Sequence, residues 1–284
     1  MARGGWALNP LVGLVVFALA LVLGYAVVTR RTQSKFLAHT ELWVYLPGLD
    51  LPAQNAMMER LLRENPYGKG ARSPINTAEG LVLSDIRLNI GLVLRAKNAS
   101  CFRPDLEDSV EPTADQLRYL AESKSLVRLR FISDVPLLDK RHLQFLLHAA
   151  EAYAELGEAK LIYDRSANRF WDRSQLVTRL RESLDVTDFD THVRLIWSIP
   201  DPENASVSTA GLAKLGLDEM VCHLHSSDQR TIVEGLVGEF AAACWTSQML
   251  LRSFETERLG IRFLIEPEPK TQNPIALRII RVTS

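Results

Sequence analysis

Hydrophobic and polar residues follow two periodic patterns along most of this chain, and these patterns predict its elements. Apolar residues at every second position predict strands at 86–94 and 126–132. Apolar residues three or four positions apart predict helices at 52–64, 139–156 and 228–252. This mixture predicts an α+β domain built on an antiparallel or mixed sheet, with helices packed on one face.

The N-terminal region breaks the periodic pattern with one long apolar stretch. No charged residue occurs between Gly4 and Thr29, and about 20 apolar residues are enough to cross a bilayer as a helix. The stretch is longer than the apolar region of a signal peptide and does not end in an A-x-A cleavage site. We therefore predict an uncleaved transmembrane helix within residues 1–31. Its anchor residues, about one for each helical turn, are Leu11, Val15, Leu19, Leu23 and Val27.

The remaining sequence divides into a short linker and a folded part. Residues 32–40 are polar and predict a juxtamembrane linker, and residues 41–284 predict a soluble α+β domain. The order of strand, proline, aspartate and helix occurs twice in this domain, which indicates two strand–helix halves, 41–123 and 124–284.

Charge and cysteine content bear on location and partners. Arg30, Arg31 and Lys35 follow the apolar stretch, against Arg3 before it, so the positive-inside rule places the C-terminal domain in the cytoplasm, at the inner membrane. The three cysteines form no CxxC pair, which agrees with a reducing compartment. With 33 basic and 34 acidic residues, the chain lacks the positive charge of a nucleic-acid-binding protein.

Arginines recur opposite the apolar positions of the predicted strands. If these strands share one sheet, the outer face of that sheet carries a set of guanidinium groups suited to an anionic partner. The alternative is a solvated face on which the arginines pair with carboxylates across strands. The candidate residues are Arg87, Arg95, Arg128, Arg130, Arg194, Arg262 and Arg278.

A weaker candidate site lies near Cys222. In a strand, His223 and His225 would point to the same side, with Asp218 nearby in sequence. A structural zinc site needs four ligands, and no second ligand cluster is present, so we predict no metal. The sequence also lacks the phosphate-binding glycine motifs and nucleophile motifs, so we predict no cofactor and no catalytic residues.

One segment resembles a known family. Residues 209–220, TAGLAKLGLDEM, are similar to a TxGLxKxGxPELE segment in a bacterial domain family of unknown function. Upstream, the residues from Gly157 to Tyr163-Asp164 and then Trp171 resemble a GxxxYD–tryptophan stretch of the same family. The resemblance covers about residues 126–225. It implies an α+β fold and brings no catalytic residues.

These features together favour a binding protein over an enzyme. We expect a single-pass membrane-anchored protein whose α+β domain acts as a binding or scaffold module, or as an accessory subunit of a membrane complex. The expected partners are the lipid bilayer and another protein. The alternative is a membrane-tethered enzyme with a site near Asp218, His223 and His225.

Overall fold

The chain is α+β, and the described residues belong to one compact unit. The computed structural model describes residues 37–64, 87–103, 112–182, 186–199, 205–224, 230–268 and 274–282. The strands of the described part are β1 Ala38–Leu46, β2 Leu88–Leu94, β3 Ser125–Ser133, β4 Leu161–Asp164, β5 Arg169–Asp172, β6 Arg194–Ser198, β7 Ala205–Ala210, β8 Met220–Leu224, β9 Phe254–Arg258, β10 Ile261–Pro267 and β11 Ile275–Val282. Its helices are α1 Gln54–Arg63, α2 Ala114–Glu122, α3 Arg141–Leu156, α4 Arg173–Glu182, α5 Phe189–His192 and α6 Arg230–Ser247.

The first sheet is antiparallel, with strand order β2-β3-β1-β4-β5. Its central strand β1 pairs with β3 from Ala38 opposite Ser133 to Leu46 opposite Ser125. Side chains of β1 alternate between the two faces, and almost all of them are buried. A strand buried on both sides needs cover on both sides, and the helices supply it.

Helices pack on both faces of the first sheet. On one face, α1, α3 and α4 contribute apolar residues to a core with Leu42 and Val44 of β1. On the other face, Leu120 of α2 packs with Trp43 and Tyr45. Helix α2 begins in a capping box, in which the Thr113 side chain accepts from the N–H three residues later.

The second sheet is mixed, with strand order β6-β7-β8-β11-β10-β9. Its strands are antiparallel except for β8 and β11, which run parallel. Helix α6 covers one face and buries Leu236, Val237 and Phe240 in a core of its own. The second sheet therefore has a separate hydrophobic centre from the first.

The predicted fold class is wrong. It joined a transmembrane helix to one sheet covered on one face, whereas the described residues form two sheets, and helices cover both faces of the first. None of the described helices is long and apolar enough to span a bilayer. Periodicity identified strands but not their partners, because pairing joins residues far apart in sequence. The predicted anchor residues lie outside the described part: Leu11, Val15, Leu19, Leu23 and Val27.

Candidate functional site

The segment 209–220 folds as a tight turn around one partly buried carboxylate. Glu219 accepts hydrogen bonds from the Thr209 hydroxyl (2.7 Å) and from the backbone N–H groups of Gly211 (2.9 Å) and Ala213 (3.1 Å). Burial raises the pKa of Glu219, and these three donors oppose that effect by favouring the charged form. Gly211 has a φ of 121°, a backbone conformation that residues other than glycine rarely adopt. The residues of the segment that resembles the bacterial family therefore serve to form and stabilise this turn.

The lysine of this turn reaches from the second sheet into the first. Lys214 is fully buried, and its Nζ donates to Asp164 Oδ2 (2.5 Å) at the end of β4. It also donates to the His192 carbonyl oxygen (2.9 Å), and the His192 ring Nδ1 lies 3.4 Å away. The two segments that carry the family resemblance, 209–220 and Tyr163-Asp164, thus meet in space.

The histidine beside this ion pair is neutral. Burial, followed by the charge of Lys214, lowers the pKa of His192 well below its ordinary value. An ammonium group only donates, so Nδ1 accepts from Lys214 and the ring proton sits on Nε2. Nε2 donates to the Val186 carbonyl oxygen (2.8 Å). Both ring nitrogens therefore have partners.

This polar centre, made of Asp164, His192 and Lys214, has no group left over for a substrate. All three members are buried, and the three ammonium protons face Asp164 Oδ2, a carbonyl oxygen and an imidazole nitrogen. Burial lowers the pKa of Lys214, and the adjacent carboxylate offsets part of that effect. A satisfied network of this kind fixes one arrangement of the elements that carry it. We interpret the polar centre as the joint that fixes the two sheets against each other.

Four of the seven predicted arginines lie in or beside the first sheet, and three of the four, Arg95 included, are on the face that α2 covers. Arg128 and Arg130 project from β3 on the side of the sheet that carries Trp43. Arg87 lies over the Phe131 ring (5.4 Å to its centre), on the opposite side. Arg95 donates to two backbone carbonyl groups at the C-terminal end of α2, so its role is structural.

The other three predicted arginines belong to the second sheet, and two of them have local partners. Arg194 donates to a backbone carbonyl in the β4–β5 turn of the first sheet (2.7 Å). Arg278 pairs with Glu266 across β10 and β11 (2.7 Å), and Arg262 stands opposite Glu257 in the register of β9 and β10. Of these three arginines, Arg278 is the one that pairs with a carboxylate across strands.

A buried carboxylate organises the arginine-bearing face of the first sheet. Glu41 accepts a hydrogen bond from Trp43 Nε1 (2.7 Å). Arg165 Nη1 lies 3.5 Å from Glu41 Oε1, and Arg130 Nε lies 3.8 Å from Oε2. His39 Nε2 is 3.4 Å from the same oxygen. Glu41 thus holds two guanidinium groups and an imidazole on one face.

The charge of this cluster is positive at neutral pH. Burial alone would raise the pKa of Glu41, but the nearby His39 and Trp43 side chains and the charge of Arg165 together lower it to about 2. One negative charge therefore faces two guanidinium groups, and Arg128 adds a third on the same face. We call Arg128, Arg130 and Arg165 the arginine surface.

Glu41 and Arg165 were not predicted as members of this site. A signal for Glu41 was present in the sequence. Glu41 lies two residues before Trp43 and four before Tyr45, and residues two apart in a strand share a face. A carboxylate among buried aromatic rings requires hydrogen-bond donors or cations nearby. Arg165 lies in a turn, and no sequence pattern relates it to Glu41.

The residues of the alternative enzyme site do not converge where they are described. Asp218 precedes β8 and His223 lies near its end, and five residues of extended chain span about 17 Å. His225 lies outside the described residues. Within the described part of the chain, no three His, Cys, Asp or Glu side chains are grouped to hold a metal ion.

Comparison with known proteins adds no further constraint. No protein-family model, curated protein or solved structure matches this chain. The resemblance of residues 209–220 to a bacterial domain family therefore stays a prediction.

Proposed function

We propose that this domain is a binding module that recognises an acidic segment of a partner protein through the arginine surface. The observation that carries the proposal is the presence of three guanidinium groups on one sheet face, two of which, those of Arg130 and Arg165, lie beside the buried carboxylate of Glu41. Arg128 is exposed and makes no hydrogen bond or ion pair with the described residues. Glu41 offsets only one of the three charges, so the surface retains an excess of positive charge.

Two members of the arginine surface, Arg130 and Arg165, lie against Glu41 before any partner arrives. The guanidinium of Arg165 stacks over the Trp43 ring (5.4 Å to its centre) while its side chain remains 48% exposed. The Arg130 side chain is 42% exposed, and its buried Nε lacks a hydrogen bond. Guanidinium groups bind carboxylates through paired N–H donors. Fixed side chains lose less conformational entropy on binding, which favours a carboxylate-bearing partner.

The test is binding of a fluorescently labelled peptide rich in glutamate and aspartate to the full chain, measured by anisotropy. The double variant Arg128→Glu/Arg130→Glu should weaken binding at least about tenfold, because two charge-assisted contacts become repulsive. Binding of the wild type should also weaken as salt is raised.

The matched control is Arg181→Glu/Arg252→Glu. It makes the same change in net charge at two exposed arginines outside the arginine surface. The control should bind almost as well as the wild type. If both double variants lose the same affinity, the peptide responds only to net charge and the proposed surface is wrong.

The membrane role stays a prediction. The bilayer partner, the inner-membrane location and the role as accessory subunit depend on residues outside the described part. Affinity purification from gently solubilised membranes tests the recruitment role, and recovery of the protein with nothing bound would count against it.

A further inference from the structure

The second sheet opens between its two parallel strands. Strands β8 and β11 are paired at only two positions, Met220 with Ile275 and Val221 with Ala276. Both strands continue beyond this point, β8 to Leu224 and β11 to Val282. Their outer edges stay paired with β7 and β10, while their facing edges no longer pair with each other. A gap therefore opens in the sheet beneath α6.

A groove of about 560 Å³ occupies this gap, and both apolar and charged side chains line it. That volume lies within the usual range for small-molecule sites, about 300 to 1,000 Å³. Apolar side chains from three directions line it, from α6, from β8 and from the β10–β11 hairpin. They include Ile232, Val233, Leu236, Phe263, Leu277 and Ile279. The groove therefore lies where β8 and β11 stop pairing with each other.

The two ends of the groove differ in charge. Glu268 lies in the lining close to Cys222, near the end where β8 and β11 still pair. Burial raises the pKa of the Cys222 thiol, and the charge of Glu268 adds to that effect. Arg281 lies in the lining towards the other end, opposite Phe263. Arg281 is exposed and makes no hydrogen bond or ion pair with the described residues, whereas Arg278 in the same lining is paired with Glu266.

From this arrangement we infer that the groove binds a fatty acid or a similar unbranched carboxylate with an apolar tail. The ligand carboxylate pairs with Arg281, at the end of the groove away from the paired positions of β8 and β11, and the ligand tail extends between α6 and the strands towards Cys222. Glu268 repels an anion at the closed end and so fixes the direction of the ligand. This site lies on the second sheet and is independent of the arginine surface.

The test is photolabelling of the full chain with decanoate that carries a diazirine at its chain end, followed by mass spectrometry of the labelled peptides. The label should map near Cys222, at the closed end. Unlabelled decanoate should compete, and octanoate should compete about fifteenfold more weakly, because two fewer methylene groups are buried. Decanol and decyltrimethylammonium should compete poorly.

Two variants and a control complete the test. Arg281→Gln should weaken competition by decanoate about tenfold through loss of a charge-assisted hydrogen bond. Ile232→Trp should block labelling by filling the groove. Arg262→Gln removes an exposed arginine from the neighbouring strand β10 and should label like the wild type. A thermal melt confirms that each variant is folded.

The remaining outcomes overturn the inference. They are equal competition by decanol, a label near Arg281 instead of Cys222, labelling that Ile232→Trp leaves unchanged in a folded protein, and equal loss in Arg281→Gln and Arg262→Gln. None of these outcomes bears on the acidic-peptide test, so failure of one proposal is distinguishable from failure of the other.

Discussion

At the scale of single residues, Glu41 remains ionised although it is buried, because donors and cations surround its carboxylate. Glu41 lies among aromatic side chains, where an isolated carboxylate would bind a proton. Hydrogen bonding from Trp43 and the positive charge of Arg165 reverse this tendency. The carboxylate therefore stabilises the fold and orders the arginine surface.

This reversal predicts how stability depends on pH. The pKa of Glu41 is about 2 in the folded protein and about 4.5 without the fold, so the charged form is favoured by folding. The stabilisation is complete above about pH 5 and is lost as the pH falls from 4.5 towards 2. Urea unfolding should show Glu41→Gln to be less stable than the wild type by about 3 kcal/mol at pH 7. The two proteins should approach each other in stability at pH 3, and a difference that stays constant with pH would contradict this account.

At the scale of elements, the turn at 209–220 depends on backbone conformation more than on side-chain packing. A Cβ on Gly211 would overlap the carbonyl oxygen of His192, the same oxygen that accepts from Lys214. Gly211 also has a positive φ. The element that joins the sheets therefore tolerates only glycine at this position.

Gly211→Ala should destabilise the protein by about 3 kcal/mol or more, because backbone strain is added to a steric overlap that displaces His192. Gly48→Ala is the control, since a Cβ there meets nothing within 4 Å and no positive φ is involved. Its effect should stay within about 1 kcal/mol. Chemical denaturation of both variants makes the comparison, and equal stability of the two would contradict the role of Gly211.

Element prediction succeeded where periodicity was strong and failed at strand β7. The strand predicted at 126–132 is β3 at Ser125–Ser133, and the helix predicted at 139–156 is α3 at Arg141–Leu156. Strand β7 was missed because it is six residues of alanine, serine, threonine and valine that lack an alternating apolar pattern. Its pairing with β6 and β8 stabilises it as a strand.

At the scale of the whole molecule, two sheets with separate cores are connected by polar contacts. The ion pair of Lys214 and Asp164 is one of these contacts. Another is Arg169 of β5, which donates to the carbonyl oxygens of Asp190 (2.7 Å) and Val193 (3.2 Å), just before the second sheet. Loss of a buried connection should therefore loosen one sheet from the other.

Lys214→Met should lower the free energy of unfolding by about 3 to 5 kcal/mol, because it leaves the Asp164 carboxylate buried without a cation. In hydrogen exchange, the β6 and β7 peptides should lose more protection than the β1 and β3 peptides. Asp164→Leu/Lys214→Met should recover part of the loss. Arg118→Met, which breaks an exposed pair, should cost less than about 0.5 kcal/mol. Uniform loss of protection across both sheets would contradict a connecting role.

The sequence by itself determined that the domain contains both strands and helices and where the main ones lie. It also singled out the segment 209–220 with its two glycines. It did so because periodicity, capping residues and glycines act over a few neighbouring positions. Only the tertiary structure decided that the strands form two sheets, that the arginines are divided between them, and that Glu41 gathers Arg130 and Arg165. Those outcomes depend on contacts between residues distant in sequence, whose free energy no local pattern records.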